Sequence, residues 1–258
     1  MINLIQNEFL KLHAKKGLYI LLGVLALLEG LGVFLILKFG DSKAKIGSAL
    51  DHTFGELSLI TLLATVFGIT IAARTITEEF QHGTVKQLLI RPRKRMTVLF
   101  SKYITVLLTV VLIVVIGTIF SMIAGVIIMD GGKTELTLGI VLQEMLYQLV
   151  SPFFFVTIAF FLANIFRKSV LPLVITLFIF FLHGTISMFL SVFAEKYAKF
   201  FVFSHLDFSV YSSNPLLSGG FEPPFPQFDF TTSLLFVLVH FALLLIASGV
   251  LFQKRDVL

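Results

Sequence analysis

An all-α membrane protein with six spanning helices is the fold class this sequence predicts, and three observations predict it. Apolar residues make up 57% of the 258 and charged ones only 14%, more apolar surface than a water-soluble domain of this length could bury. They gather in repeated windows of about 20 residues, the length a helix needs to cross a hydrocarbon layer of about 30 Å. Within each window they run continuously and do not alternate, so helices and not barrel strands are the spanning structure.

The first element precedes the spans. Ile2, Ile5, Phe9 and Leu12 recur at helical spacing while Lys11, Lys15 and Lys16 lie off that stripe. Residues 1–17 therefore predict an amphipathic helix resting in the membrane interface, either as a simple anchor or as a contact surface for a partner. The apolar windows follow at 18–37, 57–73, 104–128, 143–165, 170–193 and 234–252, the second extending back to about Thr53. The first window is too long for a signal-peptide core and no A-x-A site follows it, so it reads as a retained signal anchor.

Between the windows, 38–56 and 129–142 predict short outer loops, Arg167–Ser169 a tight inner turn, and 74–103 the one long inner connection. Pro152 and Pro172 fall near the starts of the fourth and fifth spans, where proline is tolerated and can set a kink. The segment 194–233 is crowded with phenylalanine, including Phe200, Phe201, Phe203 and Phe208, and broken by Pro215, Pro223, Pro224 and Pro226. So many rings predict short re-entrant helices dipping into the interface, not a solvated loop. The chain reads as a single transmembrane domain over 1–258, with no internal repeat.

A pI near 9.4 could suggest nucleic acid, but the basic residues sort by membrane side. With the N-terminus inside, fourteen of the 20 lysines and arginines fall in inner segments and six outside. The positive-inside rule then places both termini in the cytoplasm, and the charge is a topology signal with no nucleic-acid partner implied. Zero cysteines exclude disulfides, thiolate metal sites and cysteine nucleophiles. Zero tryptophans leave Tyr19, Tyr103, Tyr147 and Tyr197 as ring anchors near span ends.

Two fragments mimic ATPase motifs. Gly131-Gly132-Lys133-Thr134 ends like a phosphate-binding loop, yet the glycine required five residues before Gly132 is Ile127. Leu217-Ser218-Gly219-Gly220 starts like an ABC-ATPase signature but continues with Phe221. Both fall on the outer side, so neither predicts a nucleotide site. His183 and Ser187 share a helix face at four-residue spacing and raise the alternative of an intramembrane hydrolase, without a recognisable oxyanion hole or orienting group. Glu78-Glu79 is similar to the paired glutamates of some membrane metalloproteases, but Gly83 stands where an arginine is needed. Glu29 reads as the one acidic residue well inside a span. At a cost of roughly 2.5–3.5 kcal/mol it should either face a cavity or polar partner, or sit protonated across a helix contact. That makes an ATP-independent transporter or channel a further alternative.

The most charged stretch is the inner connection. Thr77 can cap a helix beginning at Glu78-Glu79, Gly83 interrupts it or permits close approach, Val85, Leu88 and Leu89 give it an apolar face, and Pro92 ends it. Such a helix suits a groove on a soluble protein; the other reading is a solvated loop whose basic end touches anionic lipid. Glu79-Phe80, Gly83-Thr84-Val85-Lys86, Leu88-Leu89, Pro92, Arg95 and Lys102, in that order and spacing, resemble the cytoplasmic loop of ABC exporter permeases of the type 2 class. Glu8-Phe9-Leu10-Lys11-Leu12 is similar to that family's N-terminal interfacial helix, and Phe252-Gln253-Lys254-Arg255-Asp256 to its closing pattern. Within the class the chain most resembles bacitracin-export and lantibiotic-immunity permeases.

The resemblance implies a membrane subunit working with a separately encoded ABC ATPase that holds ATP and magnesium, and with a second permease copy or a sister permease in the lipid. It implies ATPase coupling at Glu78, Glu79, Phe80, Gly83, Thr84, Lys86, Leu88, Leu89 and Arg95. Glu29, His183, Phe200 and Phe201 are the candidates for the translocation path, and export of an amphipathic peptide or lipid-active antibiotic across the bacterial cell membrane is the expected activity.

Overall fold

The computed structural model describes residues 1–40, 47–81, 95–166 and 168–254. Helix α1 (Ile2–Ala14) turns at Lys16, whose φ of 56° is left-handed, into α2 (Gly17–Phe39). Then come α3 (Ala49–Gln81), α4 (Arg95–Ile128), α5 (Leu138–Gln148), α6 (Val150–Ile165) and α7 (Val170–Phe193). The short α8 (Glu195–Ala198), two 3-10 turns (Val202–His205 and Ser209–Tyr211) and α9 (Pro215–Ser218) lead to α10 (Phe230–Lys254). Among the described residues six helical stretches are long and apolar enough to span a membrane, α5 and α6 together making the fourth.

Three boundaries differ from the sequence reading. Helix α3 begins at Ala49, so half of the expected 38–56 loop is helical. Ser48 and Asp51 form a capping box: the Asp51 amide donates to Ser48 Oγ at 3.3 Å, and the Ser48 amide to Asp51 Oδ2 at 2.7 Å. At its other end α3 runs on through Thr77 to Gln81, so Thr77 is not an N-cap. Its hydroxyl donates to the Ala73 carbonyl at 2.7 Å, one turn back in the same helix. The fourth span starts at Leu138, inside the expected 129–142 loop, because Thr137 Oγ1 caps the Ile140 amide at 3.3 Å. It is interrupted at Leu149, where Pro152 has no N–H to offer the Gln148 carbonyl.

The core is built on α3 and α4, which pack along their length, with α6 against both, α10 against α6, and α2 against α4. Small residues let the backbones approach. A Cβ on Gly125 would lie 2.8 Å from Ala49 Cα, and one on Gly68 would lie 2.6 Å from Val110 Cγ2. Four buried threonine hydroxyls are satisfied within their own helices: Thr65, Thr105, Thr109 and Thr176 each donate to the carbonyl four residues back. Tyr103, expected as an interfacial anchor, is instead buried, its hydroxyl 2.8 Å from Thr157 Oγ1 and its ring against Phe160, tying α4 to α6.

The segment between α7 and α10 packs on itself and on α10 around His205, which is fully buried. His205 Nε2 donates to the Lys199 carbonyl at 2.9 Å, and Nδ1 lies 3.1 Å from the Ser233 hydroxyl, which bonds the Tyr211 hydroxyl at 2.7 Å. Rings of Phe225, Phe228 and Phe236 surround it.

Candidate functional site

Helix α1 lies against α4, and its polar side meets the last turn of α3. Glu8 and Lys11, three residues apart, face Glu79 from α3 and Lys102 from α4. Lys102 Nζ is 2.9 Å from Glu8 Oε2 and 2.5 Å from Glu79 Oε1; Lys11 Nζ is 2.7 Å from Glu8 Oε1 and 3.0 Å from Glu79 Oε1. Lys15 pairs with Glu78 beside this four-membered cluster. The Lys102 side chain is only 2% exposed, whereas that of Lys11 is 51% exposed.

The sequence reading had Glu78 and Glu79 opening a helix; in the structure they lie within α3, and Lys11, Lys15 and Lys102 supply the offsetting charge. Burial pushes the Glu8 carboxyl up, but the charges and hydrogen bonds of Lys102 and Lys11 outweigh it and hold Glu8 below its ordinary range. Burial likewise pulls Lys11 down, and its contacts with Glu8 and Glu79 outweigh that and raise it.

Arg95, the first residue of α4, donates from Nη1 to the Gln253 carbonyl near the end of α10 at 3.2 Å. One end of the bundle therefore gathers α1, both flanks of the 82–94 connection and the end of α10. Phe80 belongs to the last turn of α3. Gly83, Thr84, Lys86, Leu88 and Leu89, with Val85 and Pro92, lie outside the described residues.

The translocation candidates do not form one group. Glu29 on α2 approaches His52 on α3, Oε2 to Nε2 3.5 Å, which provides the polar neighbour a carboxylate at that depth needs. Phe200 is exposed, with Lys199 Nζ 5.3 Å from its ring, and Phe201 packs on Phe203. His183 stacks among Phe155, Phe180 and Phe203, with Nδ1 on the Phe180 carbonyl at 2.5 Å. Ser187 Oγ has no hydrogen-bond partner among the described residues, so the nucleophile–base contact a hydrolase requires is not made. The two ATPase-like fragments serve turns: Gly132 donates to the Gly47 carbonyl at 2.8 Å, and Gly219 ends α9 at φ 60°.

Sequence reasoning missed Glu8 as the partner of Lys102 and missed Glu144 altogether. Glu29 is not the one acid inside a span, since Glu144 sits in the second turn of α5 and is 7% exposed. The signals were present: Glu8 and Lys11 at three-residue spacing, and Glu144 and Gln148 at four.

A bundle of six apolar helices, with charge concentrated where the short helix α1 meets two span ends, defines a multi-pass membrane transport subunit of the bacterial cell membrane. The chain belongs to the family described as ABC-2 family transporter protein, whose profile matches residues 4–183. Permeases of this family generally pair with an ATPase subunit. Two Bacillus subtilis (strain 168) proteins are similar over their length. The uncharacterized protein YhcI is 27% identical across 100% of this chain and 99% of its own. The uncharacterized membrane protein YdbK is 27% identical across 82% of this chain and 87% of its own.

Proposed function

We propose that this chain is the membrane subunit of an ATP-driven exporter that moves an amphipathic peptide or lipid-active antibiotic outward, or expels it from the membrane. The chain works as one transmembrane domain beside a second copy or a sister permease, and the ATP and magnesium reside on a separate ATPase. The observation that carries this reading is the cluster of Glu8, Lys11, Glu79 and Lys102. It fastens the interfacial helix to the two spans that flank residues 82–94, so a partner pressing on that connection moves α1, α3 and α4 together. Positive charge on this end supports its facing the cytoplasm. The apolar sides of α2 and α7, with Leu27, Phe34, Phe178 and Phe189 exposed, suit lipid and a neighbouring permease.

The cargo class rests on the phenylalanine-rich segment 194–233 and on the lack, among the described residues, of the oxygen cages or charge rings that small ions need. Coexpression of the permease with a separate ABC ATPase subunit tests the assembly. Leu88→Asp with Leu89→Asp, or Gly83→Val, should abolish copurification while the permease still inserts. A strain lacking the permease should gain sensitivity to membrane-active peptides. Wild-type copurification and ATP hydrolysis in the variants, or unchanged sensitivity across a peptide panel, would overturn the corresponding half of the proposal.

A further inference from the structure

Away from the ion cluster, α3, α5, α6, α7 and the outer segment enclose a cleft of about 430 Å³. Glu144 lines it, more than nine-tenths buried. Its Oε1 accepts from Gln148 Nε2 at 2.7 Å, while Oε2 has no hydrogen-bond partner among the described residues. The Gln148 amide is held in that orientation because its Oε1 accepts from Thr61 Oγ1 at 3.0 Å. A buried carboxylate oxygen without a donor is costly in a protein interior and more so at membrane depth. Asp207 is a second carboxylate on the lining, no lysine or arginine among the described residues lines the cleft, His183 is its one basic side chain there with Nδ1 on the Phe180 carbonyl, and Phe180 and Phe203 add ring faces.

We propose that this cleft binds a primary ammonium group of the transported molecule at Glu144, an inference that rests on the amphipathic-cargo reading above. The charge fits, since two carboxylates without a lysine or arginine call for a cation. The aromatic faces favour a cation too. The geometry selects among cations. A guanidinium prefers both oxygens of a carboxylate, and Gln148 already occupies one; a compact ammonium needs only the other. A cleft of this volume admits one amine-bearing end of an amphipathic molecule and not a whole folded peptide.

The test uses the full chain in neutral-lipid nanodiscs, without ATPase or ATP, against nanodiscs lacking protein. The probes are octanoyl-lysine amide and its isostere octanoyl-norleucine amide, which keeps the apolar body and lacks the ammonium. The lysine probe should bind about tenfold tighter or more, the scale of one charge-assisted hydrogen bond, and Glu144→Gln should erase that preference while leaving norleucine binding unchanged. In the wild-type protein the lysine probe should also slow carbodiimide labelling of Glu144, a readout that stands if the variant does not fold. Equal binding of the two probes, a preference that survives Glu144→Gln, or labelling unaffected by the lysine probe would overturn the site. Peptide export continuing in Glu144→Gln alongside those results would remove the site and leave the export reading standing. Lysine-selective binding without any change in peptide sensitivity on deletion would do the reverse.

Discussion

Replacing Lys102 with Met should loosen the attachment of α1 more than any other single change in the ion cluster. The Lys102 ammonium is 2% exposed and touches a carboxylate from each of two other helices, at 2.9 Å and 2.5 Å. Its removal leaves Glu8 and Glu79 side by side, held by the half-exposed Lys11. Deleting one partner of a buried ion pair costs about 3–5 kcal/mol, chiefly because the remaining charge stays desolvated. The same change at Lys11, in contact with solvent, should cost about 0–1 kcal/mol. Neutralising the partners as well, with Glu8→Gln and Glu79→Gln added to Lys102→Met, should recover much of the loss, since no uncompensated charge is left behind. The measurements are thermal unfolding of the detergent-purified protein and proteolysis at Lys15 and Lys16, already exposed, where cleavage should speed up as α1 loosens and its backbone gains freedom. Lys102→Met no more harmful than Lys11→Met, or a triple variant worse than the single one, would refute this reasoning.

Two further expectations concern the rest of the bundle. Burial pushes the His205 imidazole down, against the Lys199 carbonyl, which favours the charged form, and with His240 adding to the fall. The fold therefore favours neutral His205, and that stabilisation is complete above the ordinary value of 6.5 and lost as pH falls below it. Protection factors against hydrogen exchange across 199–233 should fall between pH 7 and pH 5 in the wild type and not in His205→Gln. At the α3–α4 crossing, Gly125→Ala puts a methyl against the Ala49 backbone and should cost about 1–3 kcal/mol. Gly30→Ala on α2, where nothing lies within 4 Å, should be neutral or slightly stabilising; equal effects in unfolding experiments would show that the crossing is looser than described.

By itself the sequence determined the six spans, the helix ahead of them and the family, because each is written in local composition and spacing. Continuous apolar windows give the spans, an apolar stripe with lysines off it gives α1, and the order of short motifs from Glu79 to Lys102 gives the resemblance. Hydropathy alone misplaced the ends of α3 and the start of α5, since polar residues such as His52, Thr53 and Thr77 continue a helix wherever capping or backbone acceptors satisfy them. Tertiary structure alone decided which charges meet. Glu8, Glu79 and Lys102 are separated by up to 94 residues, and nothing in their local neighbourhoods says that Lys102 is buried or that Glu79 lies inside a long helix. Only the packing of α1 across α3 and α4 brings them into contact. The same holds for Glu144, whose carboxylate becomes a candidate ligand group only once α3, α7 and residues 203–209 fold around it.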